Sequence, residues 1–363
     1  MVDKFSGQHK AIIVDEMLNI GIIGAGRIGR LHAEHLAYRI RHANLLAIAD
    51  VALPAAQECA AHCRIPTAVE DHRRILEDPR IAAVVICSAT DTHARIIEEA
   101  AAAGKHIFCE KPIALDLQAI DQALSAVERA GVKLQIGFNR RFDASFRRVR
   151  AAVAHGEIGR PHRLHIVSRD PMPPPLDYVR VSGGIFLDMT IHDFDMARFL
   201  IDSPVEEVYT AAGVLIDPAI GALGDLDTAV VVLRFADGTI GTIENSRQAV
   251  YGYDQRVEVF GSGGAIATGN NHPNSAVLST SERVWHDLPF HFFMERYRES
   301  YVAELQAFVK AVLDNEPVPV TGEDGRVPVV MGLAARASYD QNRPVRVEEV
   351  DQPRPVNGTR TEQ

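Results

Sequence analysis

Ser182-Gly183-Gly184-Ile185-Phe186-Leu187-Asp188-Met189-Thr190-Ile191-His192-Asp193-Phe194-Asp195 places a carboxylate and an imidazole four residues apart. If residues 186–200 are helical, Asp188 and His192 are i and i+4 neighbours on one face. Histidine is suited to moving a proton near neutral pH, and an adjacent carboxylate favours its charged form and fixes its ring. Gly183 and Gly184 let backbone come close to a ligand. Two plainer readings stand beside this one: an Asp–His pair on a helix surface, and a metal site made of Asp188, His192 and Asp195. Upstream, Glu110-Lys111-Pro112 ends the apolar run 106–109. In open parallel sheets ligands gather outside the carboxyl ends of strands, so Lys111 is expected to point into such a crevice; the alternative is a surface lysine on a loop.

Gly24-Ala25-Gly26-Arg27-Ile28-Gly29 is a G-x-G-x-x-G run directly after an apolar strand and at the start of a helix. Its glycines serve a tight turn, close approach of a pyrophosphate and close helix–strand packing. The helix N-terminus offers free N–H groups to phosphate. Asp50 follows 21 residues after Gly29, at the end of the second strand, where a carboxylate accepts hydrogen bonds from ribose hydroxyls. It also repels a 2′-phosphate, and Val51, Ala52 and Leu53 supply no arginine to receive one. The expected ligand is NAD rather than NADP.

The elements around these residues alternate. Strand-like runs at 18–23, 44–49, 82–87, 106–109 and 133–136 are separated by helical stretches at 28–37, 54–63, 92–103 and 117–130, a pattern of parallel βαβ units. Beyond residue 138 come helices (144–154, 186–200) and longer alternating strands (228–235, 239–247, 256–261). Asp237-Gly238 is a hairpin signal. Helices at 297–313 and 326–339 are expected to close this second unit. The expected architecture is an α/β Rossmann domain over 18–137 followed by an α+β domain over 138–350 on an open, mostly antiparallel sheet. Residues 1–17 read as an ill-ordered extension, in keeping with an upstream start before Met17, and 351–363 as a disordered tail.

With 363 residues, 47% of them hydrophobic and 24% charged, the chain can build two cores. Its net charge of −10 disfavours nucleic acid and anionic membranes. Arg140, Arg141, Arg147, Arg148 and Arg150 read as an ion-paired face rather than a basic patch. No apolar run approaches the roughly 20 residues a bilayer needs, and a signal-type apolar region is missing, so the expectation is a cytoplasmic protein. Of four cysteines, Cys87 and Cys109 sit in strand runs as small core residues. Cys59, His62 and Cys63 share a helix face but make three ligands where structural zinc takes four; no metal is expected.

These strings together resemble the glucose–fructose oxidoreductase / inositol dehydrogenase / rhizopine-catabolism oxidoreductase family from about Leu18 to Val350. The resemblance rests on GIIGAGRIGRLHA, Asp50, EKP, GFNRRFD at 137–143 and above all SGGIFLDMTIHDFDMARFL at 182–200. That last string, with NSRQAVYGYDQRVEVFG at 245–261, looks most like the inositol dehydrogenase branch. The resemblance implies NAD-dependent oxidation of a cyclic polyol, with other sugars or cyclitols as alternatives, and a homotetramer assembled through the second sheet. It implies that Lys111 binds the reacting hydroxyl, that Asp188 orients His192, and that His192 accepts the proton. Tyr251, or else Tyr253, would contact substrate. Asn139 and Arg141 would reach either ligand, and Ser88, Thr90, Thr92, His93 and Glu110 would join Lys111 along the cofactor. A non-catalytic NAD-binding regulatory protein is the reading from another class. RDPMPPPLDY at 169–178, with four prolines, is expected to be a stiff loop near the substrate entrance.

Overall fold

The computed structural model describes residues 17–351; of the extension expected over 1–17 and the tail expected over 351–363, all but Met17 and Asp351 lie outside the described residues. Six strands, β1 (Leu18–Ile23), β2 (Ala43–Ala49), β3 (Thr67–Val69), β4 (Ala83–Ile86), β5 (His106–Glu110) and β6 (Leu134–Gly137), form an all-parallel sheet in the order β3-β2-β1-β4-β5-β6. The central strands are apolar throughout because both faces are covered: Ile20, Ile22, Val84, Val85 and Phe108 are all 0% exposed. Chain order reverses between β1 and β4, which opens a crevice at their carboxyl ends. The short β3 was not expected; its three residues carry little apolar pattern.

The second sheet runs β12-β11-β7-β10-β9-β8-β15, with β7 (Pro161–Arg169), β8 (Val205–Gly213), β9 (Thr228–Phe235), β10 (Ile240–Ser246), β11 (Asp254–Gly261), β12 (Gly264–Thr268) and β15 (Val345–Arg346). A separate hairpin joins β13 (Val277–Ser279) to β14 (Val284–His286). All neighbours in the large sheet are antiparallel except β7 and β10, which run parallel. In β9 Ala229, Val231, Leu233 and Phe235 point into the core while Val230 is exposed, the alternation of a sheet with one packed face. Strands β7 and β8 escaped the sequence reading because His, Arg, Glu and Tyr fill their outward positions. At the β9–β10 turn Gly238 takes φ +87°, and the Asp237 carboxylate accepts the Thr239 N–H at 2.9 Å.

Two long helices are placed differently from expectation. Helix Arg298–Leu313 packs Val302, Leu305, Phe308 and Val309 against Leu18, Ile20, Ala33 and Phe108, so it covers the first sheet rather than closing the second. Its apolar stripe fills the place beside helix Arg27–Tyr38, a tertiary choice that amphipathicity alone does not encode. Helix Gly322–Gln341 bridges the two cores, with Val329 in one and Met331, Ala334 and Ala335 in the other. No described helix is long and apolar enough to cross a membrane.

Candidate active site

The glycine turn after β1 has the shape of a dinucleotide cradle. A Cβ on Gly24 (φ +106°) would lie 2.6 Å from the Cys87 carbonyl, and one on Gly29 would lie 2.0 Å from the Gly24 oxygen. A Cβ on Gly26 would meet nothing within 4 Å. Gly24 and Gly29 are thus dictated by protein contacts, whereas Gly26 leaves clear space over the start of helix Arg27–Tyr38. That helix has no side-chain cap, so its first N–H groups can serve a phosphate. The Asp50 carboxylate accepts the Ala25 N–H at 2.6 Å and the Ala52 N–H at 2.8 Å. Each oxygen still has a lone pair for a ribose hydroxyl. These residues fit a dinucleotide.

Other residues expected along the cofactor are mostly engaged with protein. Ile28 packs between two cores, and the Arg27 guanidinium stacks 5.3 Å from the Phe292 ring centroid. Thr90 opens helix Thr90–Ala102; Ser88 Oγ and Thr92 Oγ1 pair at 2.7 Å. His93 is 2% exposed, and its two ring nitrogens face the Pro112 and Ser88 carbonyls at 2.8 and 3.0 Å. It therefore braces the loop after β4 against the Lys111 loop. Glu110 turns inward as well: its Oε1 lies 2.6 Å from His32 Nε2.

Asp188 and His192 do not form the expected i, i+4 pair. Residues 184–200 are two helices, Gly184–Asp188 and Ile191–Leu200, broken where Thr190 Oγ1 donates to Asn245 Oδ1 at 2.6 Å. The break spoils the i, i+4 alignment, and no hydrogen bond joins Asp188 to His192 among the described residues. Asp188 instead accepts from Tyr178 (2.8 Å) and from Arg247 (3.1 Å), a guanidinium that also reaches Asp225 at 3.4 Å. The Lys111 ammonium donates to the Asp188 carbonyl at 2.9 Å and lies 3.8 Å from its carboxylate. The proline-rich loop thus ends on the site, through Tyr178 on the short helix Leu176–Val179.

His192 stands edge-on to Phe138, ring centroids 6.0 Å apart, with Nδ1 buried and unpartnered. Burial, with Lys111 and Arg140 adding, holds its imidazole well below the usual histidine range. It is neutral at neutral pH and able to accept a proton. Burial also lowers the Lys111 ammonium, opposed by Asp188 and Glu110.

Arg140 and Arg141 exchange the parts expected of them. Arg141 donates to Asp195 from both Nε and Nη2 and to Asp324 at 3.0 Å, a closed internal pair that also removes Asp195 from any metal set with His192. Arg140, 5% exposed, is ion-paired too, donating to Asp193 at 2.7 Å and to the Tyr253 hydroxyl at 3.3 Å, and its charge acts on His192 and Lys111. Tyr253 is 6% exposed and lies on that side, whereas the Tyr251 hydroxyl is occupied by Asp254 at 2.6 Å and Arg169 at 2.7 Å. Asn139 is buried, its Nδ2 without a partner.

The sequence reading missed Arg140, Asp170, Tyr178 and Arg247. Asp170 follows β7 and sits in the field of Arg247, Asp188 and Arg140; burial pushes its carboxyl up to about 6. Its signal was an acid opening the proline-rich loop. Arg247 had none, being one arginine among many. Cys59, Cys63, Cys87 and Cys109 are buried free thiols.

Residues 18–138 match the model described as "Oxidoreductase family, NAD-binding Rossmann fold", and residues 146–267 match "GFO/IDH/MocA C-terminal domain". The chain is 50% identical to the myo-inositol 2-dehydrogenase of Thermotoga maritima, over 92% of this chain and 99% of that protein. It is 45% identical to the inositol 2-dehydrogenase of Rhizobium meliloti, over 91% and 99%. Among solved structures, scyllo-inositol dehydrogenase from Lactobacillus casei with bound NAD(H) and scyllo-inositol superposes with a TM-score of 0.86 at 31% identity, over 92% of this chain and 100% of that one. The chain belongs to the GFO/IDH/MocA family of oxidoreductases and carries that family's NAD-binding Rossmann domain.

Proposed function

We propose that the protein oxidises a cyclic polyol, foremost myo-inositol at its 2-hydroxyl, to the corresponding ketone (2-keto-myo-inositol, scyllo-inosose) with NAD. The observation that carries this reading is a buried ammonium, Lys111, just past the carboxyl end of β5, whose charge acts on a buried imidazole, His192. NAD, when bound, supplies the hydride acceptor at nicotinamide C4. His192 takes the hydroxyl proton as the C–H bond breaks; since Nδ1 is sealed from solvent, Nε2 is the nitrogen left to meet substrate. Lys111 holds the oxygen while it gains carbonyl character, its fixed charge favouring the developing alkoxide. Asp188 anchors Lys111 and is itself tied by Arg247 and Tyr178. Arg140, Asp170, Asn139 and Tyr253 supply the mixed donors and acceptors that a ring of hydroxyls requires.

The substrate choice draws on the names of the relatives, which divide between myo- and scyllo-inositol. One hydroxyl's orientation is decided by a few polar contacts. The test is absorbance of reduced nicotinamide with NAD or NADP against myo-, scyllo- and D-chiro-inositol, glucose, xylose and levoglucosan. The fastest turnover is expected with NAD and myo-inositol. Turnover on another member alone replaces the substrate; none at all, with NAD binding intact, favours the regulatory reading. The outer face of the second sheet, exposing Tyr209, Val230, Ile240 and Phe260, is proposed as the contact of a homotetramer. A light-scattering mass equal to one 39.8 kDa chain contradicts that assembly.

A further inference from the structure

Behind Lys111, three side chains from three elements meet: His32 of helix Arg27–Tyr38, Glu110 at the end of β5, and Glu304 of helix Arg298–Leu313. One ligating atom of each lies within 4.8 Å of the others. His32 and Glu110 are bonded at 2.6 Å, while both oxygens of Glu304, at 0% exposure, have no hydrogen-bond partner. Phe108 and Tyr301 close the group edge-on, their ring centroids 5.4 and 5.8 Å from that of His32. A Cβ on Gly137 would sit 3.0 Å from Glu110 Oε2.

Two carboxyls this close and shielded from water do not both ionise, because like charge and burial each oppose it. Burial and the adjacent Glu110 push the Glu304 carboxyl well above its usual range. The charges that act on Lys111 are those of Asp188, the largest, then Glu110, Arg140 and Asp170; His192 lies in the field of Lys111 in turn. Of these, Glu110 is the anion tied to the buried group. We propose that Glu304 is a positioning residue: as a neutral acid it leaves Glu110 the single anion of the group, and Glu110 in turn keeps Lys111 a charged ammonium toward substrate. This rests on the role of Lys111 proposed above.

The test compares Glu110→Gln, Glu304→Gln and Lys111→Ala in the full chain, reading kcat/KM against pH, NAD affinity by calorimetry, and the infrared carbonyl band of a protonated carboxylic acid. Glu110→Gln is expected to move the alkaline limb down by about one pH unit, the effect of removing a nearby opposite charge, with NAD affinity kept. Glu304→Gln, a neutral isostere, is expected to keep the limb in place and to lose the acid band present in the wild type. An unmoved limb in Glu110→Gln, a moved one in Glu304→Gln, or no acid band in the wild type overturns the proposal. Full activity in Lys111→Ala overturns the underlying reading instead. Should Glu304→Gln not fold, the Glu110→Gln profile and the wild-type band still decide.

Discussion

Helix Ile191–Leu200 carries two kinds of buried ionisable group one turn apart. Asp195 is saturated: Arg141 binds both its oxygens, the shortest contact 2.6 Å, and the same guanidinium reaches Asp324, which Arg198 also meets at 3.3 Å. Around His192 the groups are left short. Its Nδ1 has no partner, Lys111 has one carbonyl at hydrogen-bond distance, and no side chain bonds the Asp170 carboxylate among the described residues. A saturated ion pair has no capacity for a ligand and works as scaffold. An undersatisfied group is costly to bury and is retained where something else completes it. The contrast holds along this helix alone, since buried atoms without a partner also occur in the frame, as at His35 Nδ1 and Glu304.

The sharpest way to break this comparison is at His192. His192→Ala is expected to lower kcat by about 10²–10⁴-fold, the usual weight of a general base, with the melting temperature held. A loss of only a few-fold removes His192 from the chemistry. Next comes Arg141→Met, which leaves Asp195 and Asp324 without their cation. Stability in urea should fall by about 3–5 kcal/mol, while KM for the polyol stays close to wild type. A stable variant with a raised KM instead places Arg141 at the ligand, as the sequence alone had suggested. Asp50→Asn removes the charge and one of the two acceptor oxygens, so that either the Ala25 or the Ala52 N–H faces an amide NH2. KM for NAD is expected to rise about tenfold, the worth of one charge-assisted bond, and discrimination against NADP to narrow; an unchanged ratio of NAD to NADP use denies Asp50 its selecting role.

Legibility followed the range of the interactions. The glycine turn, Asp50 and the βαβ rhythm were readable because their causes are local: backbone conformation, strand ends and helix starts a few residues apart. The second domain's β9–β10 hairpin was readable for the same reason, through Asp237-Gly238. Lys111 and His192 could be nominated from residue type and position. The bond network could not: Asp188 is claimed by Arg247, 59 positions on, and the helix carrying both Asp188 and His192 is broken by Thr190 reaching Asn245. The choice between Arg140 and Arg141 depends on which side of the turn Asn139–Phe142 faces Asp193 and which faces Asp195. Adjacent residues of equal chemistry carry no signal for that. Helix Arg298–Leu313 was visible as a helix, but its partner sheet lies nearly three hundred residues back.

A smaller effect tests whether buried histidines in the frame and in the site can be told apart by pH. His35 is 3% exposed with Nδ1 unpartnered; burial, and then His32, Arg39 and Arg298, lower it from 6.5 to about 4. Between those values the unfolded chain binds a proton that the folded chain refuses, so stability rises with pH. The contribution is fully present above pH 6.5 and is lost as pH falls toward 4. For His35 the loss from pH 7 to pH 5 comes to about 2 kcal/mol. Glutamine at this position does not titrate, so urea midpoints of His35→Gln at the two pH values should lie closer together than in the wild type, with the kcat/KM profile unchanged. His192→Gln should narrow the same gap, because its shift has the same sign, but with turnover lowered as in His192→Ala. Narrowing in both, with turnover lowered in His192→Gln alone, shows that a depressed histidine marks burial and that only the one facing the crevice marks the site. If His35→Gln also reshapes the activity profile, the division between frame and site within this fold is wrong at that end of the molecule.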